Sequence, residues 1–224
     1  MTRDGEPGAV PGSESRPLPI LVRRCNVFEP RTVKLKDDTE VLIRAMKRED
    51  LEGSFAFFRA LPEENRLSLR RDLSIRAVVE ERIRELEEGA VKRLVAVADD
   101  KIVADGALEF SHFGWERHIA ELRLFVAAPY QRKGLGTLMA GALYDLAASA
   151  GIEEIVVKMM ASQTAAIRIF QTLGFHQEVV LRDYVKDMKG TKKDLVLMRC
   201  RLEDLWQKYE EFVRDTDMRS FEME

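Results

Sequence analysis

The chain has 224 residues, 46% of them hydrophobic, and a formal net charge of -3 with charged residues of both signs making up 33%. This length suits one domain of roughly 150–200 residues with tails, and the mixed charge argues against a whole-surface nucleic-acid footprint. No apolar run approaches the ~20 residues of a membrane span, and Arg23-Arg24 interrupts the apolar stretch Leu18 to Val22, so neither a membrane partner nor a signal peptide is expected.

Residues 1–20 are rich in Gly and Pro and read as a disordered leader. Residues 21–40 form an N-terminal extension in which Leu21-Val22 and Val33-Lys34-Leu35 suit a short hairpin or edge strand. The domain proper, 41–201, opens on the short strand Glu40 to Arg44. The acids of Arg48-Glu49-Asp50-Leu51 suit a helix's first turn. Leu51, Phe55, Phe58 and Leu61 then share one helical face, which Pro62 ends. A second helix carries Ile75, Val78, Val79, Ile83 and Leu86 and stops at Gly89. Between the two lies a basic run, Arg66, Arg70, Arg71 and Arg76, which reads first as a solvated face and second as a cleft wall. Leu94 to Ala98 and Ile102 to Phe110 form a hairpin around Asp99-Asp100-Lys101. After a loop with Gly114 and Trp115 comes a strand, 118–126, in which Ala120, Leu122, Leu124 and Val126 share one face and Glu121 and Arg123 the other.

The next helix repeats Leu135, Leu138, Met139, Ala142, Leu146 and Ala150 before Gly151. Ile155 to Met159 is a buried strand by its β-branched run, and Gln163 to Leu173 is a helix with Ile167 and Phe170 inward. Phe175 to Val185 and Asp194 to Arg201 are strands, with Lys186 to Lys193 read as a solvated turn. Beyond them, in 202–224, Leu202, Leu205, Trp206, Tyr209, Phe212 and Val213 form a stripe that must bury against its own domain or in a homodimer. The cysteines, Cys25 and Cys200, lie far apart, and His112, His118 and His176 lack metal-ligand spacing. A reduced, cytoplasmic protein with no metal is the expectation.

Chemistry concentrates at Gln131-Arg132-Lys133-Gly134-Leu135-Gly136, between a strand and a helix. Backbone N–H groups and a helix N-terminus converge there, which favours a phosphate. A Walker loop is absent, and a dinucleotide fingerprint fails at Met139. An ordinary βα turn remains open on these six residues alone. The pattern resembles the pyrophosphate loop of the GCN5-related N-acetyltransferases (GNAT). A second landmark agrees: where many members carry Asn-x-x-Ala-x-x-Leu-Tyr-x-x-x-Gly-Phe, this chain has Gln163, Ala166, Ile169, Phe170, Gly174 and Phe175. The element order β–α–α–β–β–β–α–β–α–β–β argues for an α/β or α+β domain with a central mixed sheet, and it is similar to that family's fold.

The resemblance implies transfer of acetyl from acetyl-CoA to a primary amine of a small molecule or protein lysine, by direct attack in a ternary complex. It places the diphosphate on Gln131, Arg132, Lys133, Gly134, Leu135, Gly136 and Thr137. The pantetheine arm would pair with the backbone of Leu124, Phe125 and Val126. Gln163 stands where many members have an Asn on the CoA side, and Phe170 where many have the tyrosine that serves as general acid. Glu121 is the candidate base, with Glu109 as runner-up, and a structural Glu121 paired with a neighbouring basic residue is the alternative. Tyr184 is the first candidate for the missing acid, ahead of Tyr130 and of Tyr144 on the outer side of its helix. Phe170 also favours an alternative, a catalytically inactive CoA-binding sensor or interaction module. The acceptor's walls are expected near residues 61–71, 111–118 and 186–193.

Overall fold

The structure is a computed structural model, and it describes residues 28–89, 91–110 and 114–204. The leader, Cys25, loop residues 111–113 (including His112) and the aromatic stripe from Leu205 onward lie outside the described residues.

Among the described residues, eight strands form one mixed sheet: β1 (Arg31–Lys34), β2 (Glu40–Ala45), β3 (Val91–Ala98), β4 (Lys101–Phe110), β5 (Ile119–Val126), β6 (Glu154–Met160), β7 (His176–Lys186) and β8 (Lys192–Arg201). Their order is β1-β2-β3-β4-β5-β6-β8-β7. The helices are α1 (Leu51–Ala60), α2 (Glu63–Leu67), α3 (Arg76–Glu87), α4 (Leu135–Ser149) and α5 (Thr164–Thr172). β1 forms the edge beside β2, ahead of the strand that opens the expected domain. The β3–β4 hairpin turns through Asp99 and Asp100, both at positive φ (47° and 59°), a conformation Asp tolerates better than most residues.

Alternation assigns each face. Leu94, Ala96, Ala104, Leu108, Ala120 and Leu122 meet α4, whose Leu135, Met139 and Leu143 are fully buried. Phe170 of α5 and Phe175 join the same core, edge-to-face with centroids 5.1 Å apart. On the other face, α1 and the segment leading into α3 bury Phe57, Phe58, Leu61, Leu69, Leu73 and Val79. Gly106 of β4 lets α4 lie close: a Cβ there would meet Leu143 Cδ1 at 2.8 Å and Met139 Cε at 3.2 Å. Gly106→Val is therefore expected to cost about 1–3 kcal/mol by overpacking, read as a lower urea midpoint at unchanged m-value.

Every neighbouring pair in the sheet is antiparallel except β5–β6. Those two pair only from Ile119↔Glu154 to Glu121↔Val156. Beyond that point β5 follows β4 as far as Val126↔Ala104, while β6 follows β8 as far as Met160↔Leu195. The parallel pair is the weaker one per residue, so it is where the sheet parts. Among the described residues, the opening leaves one edge of residues 122–126 without a strand partner.

Candidate active site

A cleft fills this wedge. Its walls are Leu122 to Phe125 of β5, Val157 to Met159 of β6, Gln163 and Phe170 at α5, and Ser68 to Arg71 from the segment after α2. At one end of β5 lies the glycine loop. Gly134 is the N-cap of α4 with φ 89°, and Arg132 is also left-handed at φ 61°. Any side chain at Gly134 is strained by that backbone. Gly136 is different: a Cβ there would only approach Val126 Cγ2 at 3.9 Å, an ordinary contact. Its missing side chain keeps the space before the helix's first turn open, where the N–H groups of Leu135, Gly136 and Thr137 have no partner within the helix. Gln131 Nε2 donates to the Val126 carbonyl (2.9 Å), fixing the end of β5 to the loop.

The turn between β1 and β2 clasps this loop. The Lys36 N–H donates to the Lys133 carbonyl at 3.1 Å, and Lys133 Nζ lies 2.6 Å from Asp37. Hydrogen bonding to Lys133 lowers the Asp37 carboxyl to about 2. Lys133 therefore already has a carboxylate partner, while Arg132 is exposed.

At the narrow end of the wedge, Glu121 sits at the last β5–β6 pair. Its side chain is 13% exposed and is bonded to Arg70, to Lys158 Nζ at 3.0 Å, and more distantly to Arg123 Nε at 3.8 Å. Burial pushes its pKa up, but Arg70 and Lys158 outweigh that, and the carboxyl ends below its ordinary value. Glu109 is held by Arg123 at 2.6 Å. Gln163 is the N-cap residue of α5, and its side chain reaches away from the helix: its Oε1 accepts from the Met160 N–H (2.9 Å) and its Nε2 donates to Ser68 Oγ (3.1 Å).

Four sequence expectations change. Arg70 and Arg71 are cleft walls rather than a solvated face: Arg70 binds Glu121, and Arg71 grips both oxygens of Glu85 at 2.7 and 2.8 Å. The Lys186–Lys193 turn is also engaged, since the Met188 N–H donates to the Leu67 carbonyl (3.2 Å) and Lys189 pairs with Glu63 (2.7 Å). Tyr144 is not on an outer side: it is 3% exposed, and burial pushes its phenol strongly upward. Tyr184 is not among the residues that line the cleft, and it stands 65% exposed where the β7–β8 register slips between Leu181 and Val185. Tyr130, in a short 3-10 turn before the loop, lies under Lys133 Nζ at 5.5 Å.

Sequence reasoning missed the buried floor. Arg82 Nη2 binds Asp105 Oδ1 at 2.8 Å, with both side chains under 5% exposed, and its guanidinium lies 4.5 Å over the Phe58 ring. Arg93, 3% exposed, lies beside them, and burial first, then Arg82, pushes its pKa down to about 10. The available signal was parity: Arg93, Asp105 and Arg123 interrupt strands at positions facing α1 and α3.

Among the described residues, no helix is long and apolar enough to cross a membrane, and no group of three or more His, Cys, Asp or Glu could hold a metal.

The acetyltransferase (GNAT) family matches residues 56–175. The [ribosomal protein bS18]-alanine N-acetyltransferase of Salmonella typhimurium is 28% identical over 118 residues, covering 53% of this chain and 71% of the enzyme. The enzyme of the same name from Escherichia coli K12 is 27% identical over 106 residues, 47% of this chain and under two thirds (63%) of its own. The yncA protein of Salmonella typhimurium, solved with its cofactor acetyl-CoA, superposes with a TM-score of 0.58 at 20% identity over 72% of this chain and 94% of its own. With the parted sheet and glycine loop in place, and over half of the sequence matched, the chain belongs to the acetyltransferase (GNAT) family.

Proposed function

We propose that this chain transfers acetyl from acetyl-CoA to a primary amine by direct attack within a ternary complex. The parted β5–β6 pair carries this reading most, because it offers an unpaired strand edge running from the glycine loop to Glu121. The diphosphate would lie over residues 131–137 at the α4 N-terminus. The pantetheine arm would pair along Leu124, Phe125 and Val126. An N–H on that edge is then positioned to stabilise the oxyanion as the amine adds to the thioester carbon. The tetrahedral intermediate collapses by breaking the C–S bond, and the electron pair leaves with the thiolate. Phe170 has no dissociable proton and Tyr184 lies off the cleft, so neither position supplies the thiolate with a tyrosine's proton. A thiol's reference pKa of about 8.5 makes it a tolerable leaving group.

Glu121 is the group proposed to receive the amine's proton, by way of solvent. Its ion pairs keep it charged at neutral pH, so kcat/KM is expected to rise with pH above 6 as the acceptor amine deprotonates, with no inflection from Glu121. A profile flat from pH 6 to 9 with an ordinary alkyl amine would count against the direct-attack reading. Glu121→Gln is expected to lower kcat about 100-fold, measured by thiol release at saturating acetyl-CoA. The alanine α-amine named for the bS18 enzymes is the first acceptor to test.

The second reading, a CoA-binding module without turnover, draws on Phe170 and on the ion pairs that occupy Glu121. Turnover with any amine separates the two.

A further inference from the structure

Arg93 is a buried cation whose near neighbours do not fully answer it. Its guanidinium lies 3.7 Å from Glu85 and 3.8 Å from Asp105, both beyond hydrogen-bond reach. Among the described residues its Nε is buried without a hydrogen-bond partner, and the residue lines the cleft. The carboxylates around it are largely engaged elsewhere: Asp105 through Oδ1 to Arg82 at 2.8 Å, its Oδ2 being buried without a hydrogen-bond partner among the described residues, Glu85 to Arg71, and Glu109 to Arg123 at 2.6 Å. A buried charge left in this condition is costly unless something pairs with it. Arg123, on the same face, shares the buried Nε that lacks a hydrogen bond among the described residues, although its Nη2 is held by Glu109.

The register explains the space between them. Arg93 pairs with Ala107, which pairs with Arg123, so a methyl group separates two guanidinium-bearing positions on one face. Beside this row a second recess is lined by Arg70, Arg71, Glu85, Val91, Glu109 and Arg123. It shares Arg70, Arg71 and Arg123 with the main cleft. Arg93 lies two strands from β5, about 10 Å, on the side away from the β5–β6 gap. A group bound at Arg93 thus enters from the acceptor's side rather than along the pantetheine arm.

We infer that the acceptor carries a carboxylate within a few bonds of its amine, and that Arg93, with Arg123, binds it. This deepens the acetyltransferase reading and rests on it for the word acceptor. The carboxylate's source is either the α-carboxylate of a free amino acid or an acidic side chain next to a peptide's N-terminal amine.

The test uses the full chain saturated with CoA and unreactive acetylated products, so it needs no turnover. The probes are N-acetylalanine against N-acetylalanine amide, and N-acetyl-Ala-Glu amide against N-acetyl-Ala-Gln amide, each titrated calorimetrically. Charge-assisted hydrogen bonds to a buried arginine predict at least a ~10-fold preference for the acid in one pair. The pair that shows it identifies the source. No preference in either pair overturns the proposal, and so does a preference that Arg93→Gln retains. If Arg93→Gln does not fold, the wild-type pairs alone decide. In the same protein, a higher kcat/KM for succinyl-CoA than for acetyl-CoA would place the carboxylate on the donor and also overturn it. Acid preference without turnover keeps the anion site and removes acetyl transfer. Turnover without acid preference does the reverse.

Discussion

Gly134→Glu is expected to reduce acetyl-CoA affinity by at least about 100-fold, as read by isothermal titration. Two effects add. The backbone at residue 134 is left-handed at φ 89°, which costs a side-chain-bearing residue roughly 1–2 kcal/mol. The new carboxylate also lies at the α4 N-terminus, where positive potential would otherwise favour the diphosphate. Gly134→Ala separates these effects, since it carries the strain without the charge, and should lose about 10-fold. The Glu variant's thermal midpoint supplies the control for general misfolding. Wild-type binding that survives Gly134→Glu would remove the loop from the cofactor site. Failure of the wild type to bind would remove acetyl-CoA altogether.

Arg82→Met is expected to destabilise the fold by about 3–5 kcal/mol, because it leaves Asp105 charged and buried with Arg93 no closer than 3.8 Å. Urea unfolding at pH 7 reads the loss. Asp105→Asn should also destabilise, by leaving two guanidinium groups without their carboxylate. The double variant should cost less than the sum of the two, with a coupling of about 1–3 kcal/mol for groups in direct contact. Simple additivity would show that the two charges do not depend on each other.

Much of the fold was legible because it rests on local rules. The α4 periodicity and the Asp99-Asp100 turn each specify their element within a few residues. The five-residue helix α2 was not visible, since Glu63–Leu67 is too short to show an apolar period. Tyr144 was misplaced for a related reason. α4 is buried over most of its circumference, so a single stripe underestimated what the sheet and Cys200 region cover. The glycine loop was legible as a motif because backbone geometry demands its residue types. The charged floor was not, since its pairs join residues far apart in the chain: Arg70 to Glu121, Arg82 to Asp105, and Arg123 to Glu109. Charge pairing across a sheet leaves no spacing signal, and only the parity of Arg93, Asp105 and Arg123 hinted at it. Likewise the place of Tyr184 in a strand did not tell of its exposure, nor of the register slip between Leu181 and Val185 in which it stands.

The clasp of Lys36 and Asp37 on Lys133 has a consequence for portability. The matched region begins at residue 56, yet the hand that steadies its best-recognised loop belongs to a turn some twenty residues upstream. Residues 56–175 transplanted into another scaffold would carry the signature and leave its brace behind. The functional unit is therefore wider than the recognisable one, and shortening the chain to its matched segment would trade a shaped loop for a loose string of the same letters.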